Sequence, residues 1–292
     1  MIRTNKALKI NNPLDHFEAK RIKHCIEAVL KKDVFGALIV SKGGLGKTRN
    51  IREIIQEHGL DEDIEWIHVA ANITDTELYK TLFDHKDKVI FFDDIGSAAK
   101  TIAGITILKQ ATETKDGNKR EISWVSPTFV LKDYPKSFEF SGRLIMCLNM
   151  GPDERNADNA ALRTRFLSCV FDPSNKTVME MIYSIRDGLI DGKISEDEFE
   201  EIFNFIAENA TEDSDLNIRL FKNAVVWYRL TKKWQKYVME DLGYDSDTKT
   251  VLEIEHKGLR GKAATDEWST KTGKRKSTFY NILIRLKTRH II

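Results

Sequence analysis

The stretch that most constrains this chain runs from Phe35 to Thr48, FGALIVSKGGLGKT. Ala37, Leu38, Ile39 and Val40 form an apolar run that reads as a buried strand. The run breaks into Ser41, Lys42, Gly43, Gly44, Leu45, Gly46, Lys47 and Thr48, and a helical pattern follows with Ile51, Ile54 and Ile55 on one face. Strand, glycine-rich turn, Lys-Thr and helix, in that order, are the context of a phosphate-binding P-loop. The glycines let backbone N–H groups curl around a polyphosphate, and the helix N-terminus adds a favourable field. In such a loop Lys47 reaches the β- and γ-phosphates, the Thr48 hydroxyl ligates Mg²⁺, and the stretch from Ser41 to Arg49 lines the nucleotide. Ser41 stands where the motif has its first glycine, a position that shapes the turn more than it touches phosphate.

The rest of the first half supplies partners for that loop. Residues 12–33 carry a helical stripe with Phe17, Ile22, Ile26, Val29 and Leu30. Glu65–Ala70 is a second strand, Thr74–His85 a helix, and Val89–Phe92 a third, fully apolar strand. Alternating strands and helices predict a parallel sheet covered on both faces. The third strand delivers Asp93 and Asp94 at its C-terminal end, 46 residues after Lys47. Open parallel sheets bind ligands outside the carboxyl ends of their strands, so these acids face the P-loop. Asp93 is then a Mg²⁺ ligand, and Asp94 the base that orients an attacking water. A helix over Ala98–Glu113 follows. Thr114–Arg120 reads as a turn into Glu121–Val125, a hairpin whose tip carries Lys115, Lys119 and Arg120. A fourth strand, Arg143–Leu148, ends at Asn149, whose amide would sit beside the γ-phosphate. Arg163 and Arg165 precede a fifth strand, Ser168–Phe171.

Charge is unevenly spread behind a net value of +1. Residues 191–215 hold ten acids against Lys193, whereas residues 251–292 hold ten Lys/Arg against four acids. An acidic segment before a basic end predicts separate modules, the basic one a candidate for nucleic acid. Cys25, Cys147 and Cys169 lack metal-type spacing and read as buried free thiols in a reducing compartment. No apolar run spans a membrane and MIRTNKALKI has no signal core, so the expected location is the cytoplasm, at the nucleoid or a phage replication site.

With SKGGLGKT at 41–48, VIFFDDI at 89–95, RLIMCLN at 143–149, ALRTRF at 161–166 and LNIRLFKNA at 216–224, the chain resembles an AAA+ ATPase of the compact phage or plasmid replication type. The resemblance covers about residues 12–240. It implies an α/β core over residues 1–175, an αβα sandwich with a five-stranded parallel sheet, then a helical lid over 176–242. It also implies ATP hydrolysis with Mg²⁺ at the interfaces of a homo-oligomeric ring or spiral, by analogy a hexamer. Asn149 matches sensor 1 and Arg219, on a lid helix, sensor 2. The segment with Arg163 and Arg165 matches the source of an arginine finger acting in trans, with Arg165 the favoured candidate. An arginine finger suits this chemistry because guanidinium stays charged and forks onto phosphate oxygens.

In the lid, Glu196–Asn209 reads as a helix capped by Ser195, with Glu198 at capping-box spacing. Residues 243–292 have a helix–turn–helix or winged-helix look: Lys262–Lys271, a turn at Thr272-Gly273, and Lys276–Arg289 with Phe279, Ile282, Leu283 and Leu286 inward. Lys274, Arg275, Lys276, Ser277, Thr278 and Asn281 lie where a recognition helix meets DNA. A protein-docking unit with a basic rim is the alternative. Three functions fit: a ring ATPase that moves on, unwinds or remodels single-stranded or duplex DNA; a helicase loader or initiator whose ATP state sets assembly with a replication protein; and a DNA-binding regulator with a vestigial ATP fold. No Asn-Lys-x-Asp motif follows a strand, which argues against a small GTPase.

Overall fold

The computed structural model describes residues 20–95, 98–114, 120–124, 133–149, 162–210, 214–244 and 246–288. Among them the chain divides into two compact units, one ending at Pro173 and the other beginning at Ser174.

The first unit is built on α1 (Lys20–Leu30), β1 (Gly36–Ser41), α2 (Lys47–Glu57), β2 (Trp66–Val69), α3 (Asp75–Asp84), β3 (Val89–Asp93), α4 (Ile102–Thr112), β4 (Glu121–Ser123), β5 (Ser137–Glu139), β6 (Arg143–Asn149) and β7 (Leu167–Phe171). β2, β3, β6, β1 and β7 form one five-stranded parallel sheet in that order. All six residues of β1 are buried, as a central strand covered on both faces must be, which is why its sequence is a continuous apolar run. Leu38, Val40, Ile90, Phe92, Leu144 and Met146 point to one face and pack with Leu78, Tyr79 and Leu82 of α3 and Ile105 and Leu108 of α4. The alternate residues face the other layer, where α1 packs on β1, β6 and β7 beside α2. The result is a three-layer αβα core.

Helix starts follow the capping logic of the sequence. Thr74 accepts from the Glu77 N–H at the start of α3, and Thr101 accepts from the Gly104 N–H at the start of α4. α4 begins later than the sequence pattern indicates, because Ala98–Lys100 forms a separate 3₁₀ turn that ends at this Thr101 cap.

The second unit is helical: α5 (Asn175–Ser184), α6 (Arg186–Ile190), α7 (Glu196–Asn209), α8 (Ile218–Leu230), α9 (Trp234–Asp241), α10 (Ser246–His256), α11 (Gly261–Thr272) and α12 (Lys276–Thr288). The capping box at α7 is formed. The Ser195 side chain accepts from the Glu198 N–H at 3.2 Å, and the Glu198 carboxylate accepts from the Ser195 N–H at 2.7 Å. Phe199, Phe203 and Phe221 cluster with Tyr183 between α5, α7 and α8. α10, α11 and α12 pack around Trp268, Phe279, Ile282 and Leu286, and Gly273 ends α11 in the left-handed conformation that glycine favours. The described part of this module is three helices. No helix among the described residues is long and apolar enough to cross a membrane.

Candidate nucleotide site at the carboxyl edge of the sheet

The P-loop leaves β1 at Ser41 and enters α2 at Lys47. Gly44 and Gly46 both adopt φ of +76°, a conformation that costs an L side chain strain, and this curls the loop back over the helix N-terminus. Lys47 is only 8% exposed. Its ammonium donates to the Ser41 carbonyl at 2.9 Å, to the Lys42 carbonyl at 3.0 Å and to Asn149 Oδ1 at 3.4 Å. Burial pulls the Lys47 pKa down, while Cys147, Asp93 and Asp94 nearby pull it up. The loop thus holds a desolvated cation aimed into the space its own backbone encloses.

The two acids are delivered as the sequence implies, and they do different things. Asp93 closes β3, and its Oδ2 accepts from the Thr48 hydroxyl at 2.5 Å. Asp94 turns into the left-handed region at φ +61°, with its N–H donating to the Cys147 carbonyl at 3.0 Å. That turn sends its carboxylate to Asn149, whose Nδ2 donates to Asp94 Oδ2 at 3.0 Å. Asn149 therefore bridges Lys47 and Asp94 through the two ends of one amide. The Thr48 hydroxyl and the Asp93 carboxylate are hard oxygen donors side by side, a set that suits Mg²⁺, which when bound would neutralise charge developing on phosphate oxygens.

Three further residues border this site that the sequence reading does not assign to it. His68 of β2 stacks on Phe91 with ring centroids 4.8 Å apart and brings Nε2 to 3.8 Å from Asp93 Oδ2. Asp172, just past β7, pairs with Lys42 of the P-loop at 3.0 Å. Cys147, paired with Asp93 across the β3–β6 ladder, is fully buried, and burial pushes its thiol up. Only β2 register could have revealed His68, since it places the histidine opposite Phe91, two residues before Asp93. Arg49, at the edge of the loop, points to solvent and pairs with Glu53 at 2.7 Å.

No family model and no curated protein matches the sequence. Solved structures do match. A point mutant of Thermotoga maritima RuvB is 18% identical, with 95% of this chain and 90% of that chain covered at a TM-score of 0.50. The RuvB Holliday junction branch migration motor of the same organism aligns over the same shares at 17% identity and a TM-score of 0.49. The first of these decides the fold. This chain has the α/β fold of that RuvB structure.

Within the sheet-bearing unit, Arg163 and Arg165 sit far from Lys47 of the same chain. β7 runs parallel to β1 with Leu167 beside Ala37 and Phe171 beside Ser41. The two arginines precede Leu167, so they lie at the foot of the sheet, about 13 Å of strand from the carboxyl edge at ~3.3 Å per residue. Phe166 anchors them there: its ring lies against Gly36 so closely that an added Cβ would meet it at 2.6 Å. Arg165 is exposed and pairs with Glu113, past the end of α4, at 3.4 Å. Arg219 is exposed in the first turn of α8, where Asn217 caps the helix by accepting from the Leu220 N–H at 2.9 Å.

One candidate DNA contact is overturned. Arg120 is 3% exposed, and its guanidinium donates to the Ala111 carbonyl at 2.7 Å and the Gly142 carbonyl at 2.6 Å. It lies over the Phe35 ring at 4.4 Å and the Phe140 ring at 5.1 Å. This arginine braces the inside of the sheet-bearing unit and is not available to a phosphate backbone. The hairpin itself differs from the expected one. β4 pairs antiparallel with β5, Ile122 opposite Phe138, and Arg120 stands just before β4, where its carbonyl accepts from the Phe140 N–H at 2.8 Å. Lys115 and Lys119 lie outside the described residues. In the C-terminal module Lys274, Arg275, Lys276, Ser277 and Asn281 are exposed and Thr278 is half-buried. Lys274 pairs with Asp247 at 2.6 Å and Lys276 with Asp266 at 3.8 Å. Tyr280 and Ile284 are exposed on α12 near Ser277 and Asn281.

Proposed function

We propose that this chain is an ATP-hydrolysing ring protein that acts on DNA, a remodelling or translocating ATPase built from identical subunits. A single observation carries the reading. Lys47, Thr48, Asp93, Asp94 and Asn149 are wired into one site at the carboxyl edge of the sheet, while the two finger candidates sit at the opposite end. A site complete in its own subunit except for a further cation on phosphate, with two arginines held at the far end, fits a neighbour supplying that cation.

In this reading Lys47 and the loop amides hold the β- and γ-phosphates. Asp94, held by Asn149, orients the attacking water. Arg165 or Arg163 of the adjacent subunit stabilises charge on the transferred phosphoryl group, worth about 10³–10⁵ in rate for an arginine finger. Arg219 serves as the lid cation. Residues 1–175, 176–242 and 243–292 act as core, lid and DNA-binding module. Exposed Arg275, Ser277 and Asn281 on or beside α12, with Lys274 and Lys276, make the DNA face. A replicative helicase, or a loader that switches slowly on ATP beside a replication protein, are narrower forms of the same proposal.

The test is ATP turnover by the full chain with and without single-stranded and duplex DNA, paired with strand displacement and with Lys47→Ala as control. Turnover that depends on Lys47 and rises with DNA supports the motor. Slow turnover indifferent to DNA refutes the motor and leaves the switch. For the DNA face, Arg275→Ala with Lys276→Ala should lower affinity and flatten the salt dependence by roughly 0.9 in log–log slope per lost phosphate contact on duplex. Unchanged affinity and slope would point to protein docking by this module.

A further inference from the structure

Two of the three cysteines meet. Cys25 on α1 and Cys169 on β7 are both buried, at the packing of that helix on the edge strand of the sheet, and their thiols hydrogen-bond to one another. Arg21, one turn before Cys25, reaches across to donate to the Ser168 carbonyl at 3.1 Å, tying the same helix to the same strand beside the pair. Nothing in the nucleotide site uses either sulfur. Cys147 sits apart from them, beside Asp93.

We propose that Cys25 and Cys169 form a site of reversible oxidation, which closes to a disulfide and staples α1 to the edge strand when the protein meets a peroxide. The chemistry balances with hydrogen peroxide as the oxidant. The Cys169 thiolate attacks one peroxide oxygen, the O–O bond breaks, and Cys169 becomes a sulfenic acid with hydroxide released. The Cys25 sulfur then attacks the Cys169 sulfur, the S–O bond breaks, and water leaves with the Cys25 proton. Two thiols and one peroxide become one disulfide and two waters.

The order of events follows from the surroundings. The Cys25 thiol donates to Cys169, which raises the first group and lowers the second, and the Arg21 guanidinium helps to hold Cys169 down. Cys169 is thus the sulfur that gives up its proton more readily, although burial opposes this, and it meets oxidant first while Cys25 resolves it. The packing of α1 on β7, fixed by Arg21 on Ser168, brings the two buried side chains together, and closure forms an S–S bond of roughly 2.0 Å. Burial of both sulfurs limits the attack to a small oxidant. Cys147, enclosed and pushed towards the thiol form, should stay reduced.

The experiment treats the reduced full chain with hydrogen peroxide, quenches, denatures, and counts thiols alongside a non-reducing tryptic map. The expected result is a fall from three thiols to one. The peptides His24–Lys31 and Phe166–Lys176 should be joined, and dithiothreitol should reverse the change. The linked core should also melt higher, by roughly 5–15 °C, because the bridge closes a long loop in the unfolded chain. In Cys25→Ser, oxidation should stop at a sulfenic acid on Cys169 that dimedone traps. Retention of all three thiols in the wild-type protein overturns the proposal. So does a product of intermolecular bridges or sulfonic acids without the linked peptide, and neither readout requires a variant to fold.

Discussion

Arg120→Met separates an internal brace from a DNA contact. The guanidinium serves two buried carbonyls, Ala111 near the end of α4 and Gly142 just before β6, and lies on two aromatic rings. Methionine keeps much of the aliphatic packing but leaves both carbonyls without that donor, at about 1–3 kcal/mol each. Part of this cost is offset. Burial, with Arg143 nearby, pushes the Arg120 pKa down to about 10, so the folded chain bears a penalty for holding that charge, and methionine removes it. The net loss should be roughly 2–4 kcal/mol, or about 5–15 °C in melting temperature for a domain of this size. Calorimetry of the full chain should show the drop in the transition of the unit that ends at Pro173, with the other unit unmoved. DNA affinity measured below both melting ranges should not change. A variant that melts like wild type yet binds DNA more weakly would refute the brace and return Arg120 to the surface role its sequence context suggests.

Three other substitutions probe the nucleotide site and the sheet that carries it. Asp94→Asn should fold normally, because asparagine tolerates the φ of +61° at that position, and should bind ATP while turnover drops by roughly 10²–10⁴; wild-type turnover would show that Asp94 does not orient the water. Arg165→Ala should bind ATP but be inactive alone, and mixing it with Lys47→Ala subunits should restore some turnover, since some interfaces then join an intact P-loop to an intact finger. Failure of rescue in mixtures shown to co-assemble would count against catalysis in trans. Gly36→Ala places a Cβ 2.6 Å from the Phe166 ring and 3.2 Å from the Leu144 carbonyl; we expect a loss of about 1–3 kcal/mol from overpacking in thermal melts, and unchanged stability would mean the Phe166 anchor is loose.

What the sequence shows of this molecule is what is decided locally. β1, β3 and β6 lie in the middle of the sheet, so they read as unbroken apolar runs, and the P-loop declares itself because glycines, Lys47 and Thr48 must follow such a strand directly. Asp93, Asp94 and Asn149 are legible for the same reason, since each ends a strand or follows one whose carboxyl edge is shared. Arg120 fails because its fate is set by Phe35, Ala111, Phe140 and Gly142, none of them near enough in sequence to show a pattern. Lys-Asp-Gly-Asn-Lys before it carries every local sign of an exposed turn, yet the strand that follows pairs with Ser137–Glu139. Charge counting overstates the C-terminal cations too. Lys257 and Lys271 lie against Glu267, Arg260 against Glu255, and Lys274 against Asp247, so part of that positive field is met inside the module. The turn before α12 is likewise fixed from a distance: the Trp268 indole donates to the Arg275 carbonyl at 3.2 Å, a contact that no local pattern announces.

The sheet's direction then constrains how the proposed reaction is divided between subunits. Parallel strands give the core one edge where chain leaves strands and one where it enters them. The residues proposed for the nucleotide site follow the ends of strands: Ser41 leads into the loop, Asp93 into Asp94, and Asn149 ends β6. The segment with Arg163 and Arg165 enters one, and Phe166 against Gly36 fixes it at that end. Bending it round to its own P-loop would require β7 to leave β1, breaking the ladder from Ala37 to Ser41. A neighbouring subunit meets no such obstacle, because the arginines precede an edge strand and Arg165 is exposed. In the isolated subunit Arg165 rests on Glu113. That partner is itself more than half exposed, so the ion pair is worth little, about 0–1 kcal/mol. In the proposed reading, an arginine at the wrong edge for its own P-loop serves the P-loop of the next subunit.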